Sequence, residues 1–140
     1  MILENGVNWN EVRNDLLDDW IWLKLHDISV TDYCKSNKLN RVVIYGAGEL
    51  GMLVYKDMFS TGIQAVAYLD QKGAYHDYKC FDIPVFAPDD DRKITDSIDL
   101  IILATLASHD EIKGVLREYY LCEIISIRDI IDDLLKEIQQ

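Results

Sequence analysis

A chain of 140 residues, 49% of them hydrophobic, has the interior for one core and not for two, and its net charge of −11 excludes a nucleic-acid backbone as partner, because that affinity comes from Lys and Arg neutralising phosphates. Cys34, Cys80 and Cys122 lie far apart without C-x-x-C spacing, which excludes a zinc ribbon or a disulfide framework and reads as free thiols in a reducing cytosol. No apolar run approaches the ~20 residues of a membrane span, and no basic-then-apolar leader follows Met1, so a soluble cytoplasmic protein is expected.

The first forty residues read as a segment of their own, with a second unit over 41–140. Asn8, with Glu11 three positions on, resembles a capping box and starts a predicted helix over 9–28. Val12, Leu16, Trp20 and Leu23 form one apolar stripe, and Leu17, Ile21, Leu25 and Ile28 a second, with Trp22 beside Trp20. Two stripes exceed what one sheet edge of a small domain covers. They predict a homodimer through residues 9–28, and a monomer that still binds ligand once 1–38 are removed. Thr31 to Asn40 is polar and reads as a linker with one helical turn.

From Arg41 the pattern changes. RVVIY is an apolar, β-branched run that stops on Gly46, Gly48 and Gly51, the spacing G-x-G-x-x-G, and a helix follows from Glu49 to about Phe59. A strand leading into such a turn and helix opens a Rossmann dinucleotide-binding unit. Gly46 turns the chain off the strand, Gly48 admits a pyrophosphate to the backbone, and Gly51 lets the helix lie on the sheet. The turn as a whole, Gly46, Ala47, Gly48, Glu49, Leu50 and Gly51, is the candidate phosphate site, with the helix N–H groups and positive dipole end aimed at the anion. Glu49 stabilises the empty helix end and stands where it could crowd a bound anion, but its side chain can swing out to water, so it is tolerated there. Gly48→Val is expected to abolish binding in a folded protein, by filling the phosphate position and by losing access to positive φ.

AVAYLD follows as the second strand. Asp70 stands about 20 residues beyond the last glycine, where this fold keeps its ribose-binding carboxylate. That charge repels a 2′-phosphate and favours NAD over NADP, although Lys72 would answer such a phosphate. After polar residues 71–82, IPVF gives a brief third strand that Pro84 assigns to a sheet edge. Asp89 to Arg92 reads as an acidic helical turn, and Ile98 to Thr105 as the fourth and most buried strand. Ser108 to Glu111 has the form of a capping box, opening a helix whose inner face is Ile112, Val115, Leu116 and Tyr119. Glu123–Ile127 is the fifth strand, and Ile130, Ile131, Leu134, Leu135 and Ile138 line a closing helix. Apolar strands separated by helices predict an α/β fold: a Rossmann-like, doubly wound parallel sheet of order 3-2-1-4-5 with an N-terminal helical extension. In such a sheet the ligand crevice lies between the first and fourth strands, which adds Thr105, and Ser108 beside it, to the candidates.

Other matches carry less. Tyr75 with Lys79, and Tyr68 with Lys72, have the Tyr/Lys spacing of short-chain dehydrogenases but do not sit on a helix after the fourth strand. Ser108, His109 and Asp110 are the residue types of a hydrolase triad, yet neighbours in sequence do not converge on one substrate atom. His26 and His76 have no partner pattern. No catalytic residue and no metal ligand is assigned.

RVVIYGAGELG, AVAYLD, IPVF, SIDLIILA, SHDEI and EIISIRDII, taken in order over Arg41 to about Ile131, resemble the nucleotide-binding Rossmann domain of bacterial polysaccharide-biosynthesis dehydratases and epimerases acting on nucleotide sugars. A similar layout opens the sugar O-acyltransferases that hold a UDP-sugar. The resemblance implies binding through Gly46, Gly48, Gly51 and Asp70, and it supplies no catalytic residue, because 140 residues leave no room for the catalytic domain of those enzymes. The expectation is a module that binds NAD or a nucleotide sugar. The alternatives are one domain of a larger dehydratase, epimerase or acyltransferase, and a ligand-free assembly domain.

Overall fold

The computed structural model describes residues 3–4, 6–59, 61–71, 79–80, 83–89, 94 and 97–139. Lys72, Tyr75, His76 and the expected acidic turn at 90–92 lie outside them. The chain starts with an antiparallel pair, β1 (Leu3–Glu4) and β2 (Val7–Asn8), followed by α1 (Trp9–Leu25), α2 (Val30–Ser36), β3 (Arg41–Tyr45), α3 (Glu49–Met58) and β4 (Gln64–Leu69). Then come β5 (Lys79–Cys80), β6 (Ile83–Phe86), β7 (Leu100–Leu103), α4 (His109–Leu116), β8 (Glu123–Ser126) and α5 (Ile127–Ile138). The architecture is α/β, with a five-stranded parallel sheet and five helices among the described residues, compatible with a Rossmann-like fold.

The whole sheet runs β5-β6-β4-β3-β7-β8. This differs from a plain 3-2-1-4-5 sheet counted from Arg41: a hairpin precedes those strands in the chain, and an antiparallel strand is added at one edge. The added strand also corrects the placing of Pro84. β5 pairs with Ile83 and Pro84, whereas Val85 and Phe86 pair with β4, so β6 is flanked on both sides in halves. Proline costs the sheet little there because its missing N–H falls outside the β4 ladder.

Strand residues alternate between two layers. Val42, Ile44, Tyr68, Leu100 and Ile102 face a large core with α1, α2, α3 and α5, while Val43, Tyr45, Leu69, Ile101 and Leu103 face a smaller one with Leu116 and Tyr120. The N-terminal helices belong to the large core. Leu16, Trp20 and Leu23 of α1 are buried in it, and so are Val30, Tyr33 and Cys34 of α2. The expectation of a detachable segment is therefore corrected: the stripe through Leu16, Trp20 and Leu23 is covered by the chain's own helices, leaving Ile21, Trp22 and Leu25 outside. The linker reading of 31–40 is corrected too. α2 looks polar because it is only seven residues long, yet its buried side gives it a place in the core, and its start is held by the Ser29 N–H donating to Asp32 at 2.8 Å.

One buried carboxylate fixes how these helices meet. Asp57 on α3, with its side chain 4% exposed, accepts from Trp20 Nε1 at 3.2 Å and from the Val30 N–H at 2.8 Å, and it pairs with Lys24. Arg128 on α5 reaches Asp19 on α1 at 2.7 Å. At the α1 start, Asn8 Oδ1 accepts from Glu11 N at 3.2 Å, as its sequence position predicts.

Candidate functional site

β3 lies between β4, the next strand of the chain, and β7, to which the chain returns only after β6, so the strand order reverses at β3 and a crevice opens beyond its carboxyl end. The glycine turn is built there. Gly46 has φ +103°, its N–H donates to Leu69 O at 2.7 Å, and a Cβ on it would lie 3.0 Å from Ala104 O. Gly51 is the tighter constraint, since a Cβ there would fall 1.8 Å from Gly46 O. The helix thus rests directly on the turn, and no other residue fits. Gly48 is different. It caps α3 in an extended conformation, φ −91° and ψ −157°, with nothing within 4 Å of the point where a Cβ would stand. The expectation that Gly48 uses positive φ is corrected: what distinguishes this glycine is open space.

The cleft itself has a volume of about 770 Å³ and takes in Gly46, Asp70, Thr105 and Ser108, so four of the sequence candidates come together. The others do not line it. Ala47 is half-buried in the turn, Leu50 is buried in the large core, Gly48 and Glu49 are exposed at the start of α3, and Gly51 is buried within α3 against Gly46. Glu49 is ion-paired with Arg13 of α1. Asp70 turns one carboxylate oxygen to the glycine turn, accepting from the Ala47 N–H at 2.9 Å. The carboxylate is thereby oriented, and one of the turn's own donors is already in use.

Residues that sequence reasoning did not select complete the lining. Tyr45 and Gln71 sit beside Asp70, Ala87 to Asp89 follow β6, and Glu111, Val115, Leu116 and Tyr119 come from the α4 region. Ser108 does not close the expected capping box. Its φ is +64°, a left-handed backbone that turns the chain into α4, and its side chain makes no cap bond. His109 Nε2 instead donates to Thr105 O at 2.9 Å, which ties the helix start to the strand end. Val115 and Tyr119 are not inner-face core residues as expected: they are 46% and 39% exposed, and only Leu116 between them is fully buried.

The electrostatics are one-sided. Asp70, Asp89 and Glu111 line the cleft, and none of its described lining residues is Lys or Arg. The three carboxylates do not gather into a metal site; among the described residues no group of three His, Cys, Asp or Glu could hold an ion. Burial raises the Tyr45 hydroxyl above its ordinary pKa, and Asp70 adds to this, against an opposing hydrogen bond with Gln71, so the phenol stays protonated at neutral pH. The cleft can accordingly offer acceptors to hydroxyl and amino groups, a neutral phenol, and an apolar wall.

No protein-family model matches the chain, and no curated protein or solved structure matches it either. Among the described residues no helix is long and apolar enough to cross a membrane.

Proposed function

We propose that the protein is a cytoplasmic nucleotide-binding module of Rossmann type that takes NAD or a UDP-sugar and presents it to a partner enzyme, in the nucleotide-sugar chemistry of bacterial surface polysaccharides that its sequence resembles. The observation that carries this reading is the meeting of Gly46, Asp70 and Thr105 in one cleft at the carboxyl ends of β3, β4 and β7. In this reading Asp70, oriented by Ala47, takes ribose hydroxyls, and its charge disfavours a 2′-phosphate. The phosphates lie over Gly48 at the α3 N-terminus, where a Cβ would meet nothing within 4 Å and Glu49 beside it is turned to Arg13.

The test is thermal unfolding with NAD, NADH and UDP-glucose at millimolar concentration. A ligand at a hundredfold excess over Kd adds about 2.7 kcal/mol to the folded state and raises the melting temperature. Asp70→Asn keeps an acceptor for Ala47 but loses the charge, so it should reduce the shift without lowering the unliganded melting temperature much. No shift with any of the three overturns the reading. It would leave a ligand-free assembly domain, which the use of Asp70 on Ala47 favours. Ile21, Trp22 and Leu25, exposed on α1, favour a further contact, with a second copy of the chain or with the catalytic domain of a larger dehydratase, epimerase or acyltransferase. Light scattering at tens of micromolar decides for the second copy if it finds a dimer that Trp22→Ser dissociates.

A further inference from the structure

We propose that the C-terminal end of α4 and the turn that follows it are the seat of an uncharged planar ring, the base of the nucleotide, and that Val115 at the helix end and Tyr119 in the turn are the side chains it lies on. This assignment rests on the nucleotide reading of the cleft. A helix packed on a sheet turns its apolar stripe inward, and Leu116 does so completely. Val115 and Tyr119, spaced four residues apart, are left exposed, and both line the concave wall. Scattered exposed apolar residues need no explanation, but an aliphatic and an aromatic side chain together in a cleft are what a ring requires.

The charge of the cleft selects the same part of the ligand independently. A phosphate in this space would face Asp70, Asp89 and Glu111 with no Lys or Arg among the described lining residues, whereas a base and its sugar bring N–H and O–H donors to those carboxylates. The ligand is thus oriented with its base along α4 and its phosphates outside the cleft, toward Gly48.

Calorimetric titration of the full chain with adenosine, uridine and ribose 5-phosphate tests the platform. Tyr119→Ala should weaken the nucleosides about tenfold, the scale of one lost aromatic stack, while Tyr119→Phe restores them and ribose 5-phosphate is unaffected. Val115→Ser should act in the same direction by a smaller factor. Adenosine 2′-monophosphate should bind more weakly than adenosine, and the gap should narrow as NaCl rises from about 0.02 to about 0.5 M, since salt screens like-charge repulsion. Equal losses for nucleosides and ribose 5-phosphate in Tyr119→Ala would reduce Tyr119 to a structural role and overturn the platform. So would unchanged nucleoside affinity in a variant that still binds NAD, an outcome that leaves the nucleotide reading standing. Absence of binding by wild-type protein to adenosine, uridine, NAD and UDP-glucose alike overturns the nucleotide reading, and the platform with it.

Discussion

The two faces of the sheet are finished differently. On one, four helices close over Val42, Ile44, Leu100 and Ile102, and even the polar link between α1, α2 and α3 is buried as the Asp57 cluster. On the other, the described helix is α4 alone, and Val115 at its end and Tyr119 in the turn after it stay bare along a cleft. Stability is concentrated on the closed face, and the cleft opens on the other. A substitution's effect should therefore depend on its face more than on its hydrophobicity.

The strongest test of that contrast compares two glycines of one turn. Gly51→Ala places a methyl group 1.8 Å from Gly46 O on the closed face and should leave no cooperatively folded protein, a loss of more than about 3 kcal/mol in urea unfolding. Gly48→Ala, at the open end, should cost about 1 kcal/mol or less, the effect of a poorer N-cap. Removing 1–38 should come next in effect: it strips Leu16, Trp20, Leu23 and Tyr33 from the large core, so circular dichroism should find no sharp thermal transition. A folded, ligand-binding remainder would break the comparison.

Single side chains sharpen it. Leu23→Ala should cost about 2–5 kcal/mol, whereas Val115→Ala on the cleft wall should stay within about 0.5 kcal/mol by the same denaturation. Asp57→Ala should cost about 3 kcal/mol, because it strands the Trp20 and Val30 N–H donors in a part-buried site.

The smallest effects are those of pH. Asp99 is held below the usual carboxylate range by the N–H groups of Asn40 and Arg41. A group with a depressed folded pKa stabilises above its unfolded value, and that stability is lost as pH falls through the folded one. Asp99→Asn should therefore flatten the acid side of the stability profile, with its deficit against the wild type largest at neutral pH and closing as the wild-type carboxylate takes up its proton. Cys34 runs the other way. Burial, with Glu123 adding to it, pushes its thiol up to about 11 from 9.0. Its contribution is complete below the lower value and is lost on rising through the higher, so Cys34→Ala should lessen the alkaline decline in urea midpoint.

Much of the sheet was legible because its strands are continuous apolar runs, and the turn because Gly46 and Gly51 answer to hard steric limits. α2 was not, since its short segment carries Asp32, Lys35 and Ser36 beside its buried residues, and only tertiary burial makes it a stable helix. The Ser108 to Glu111 pattern announced a side-chain cap, but the backbone there is set by the approach of Thr105 and His109. In the cleft, Gly46, Asp70 and Thr105 followed from chain position. Val115 and Tyr119 did not, because helical periodicity gives a core stripe and a cleft wall the same spacing.

The bond between Asp19 and Arg128 joins residues 109 positions apart. During synthesis at about 5–20 residues per second, α1 is made many seconds before the helix that completes its packing. Until α5 emerges, the side of α1 that carries Asp19 lacks its partner helix, so the closed face of the sheet is completed only by the last element of the chain.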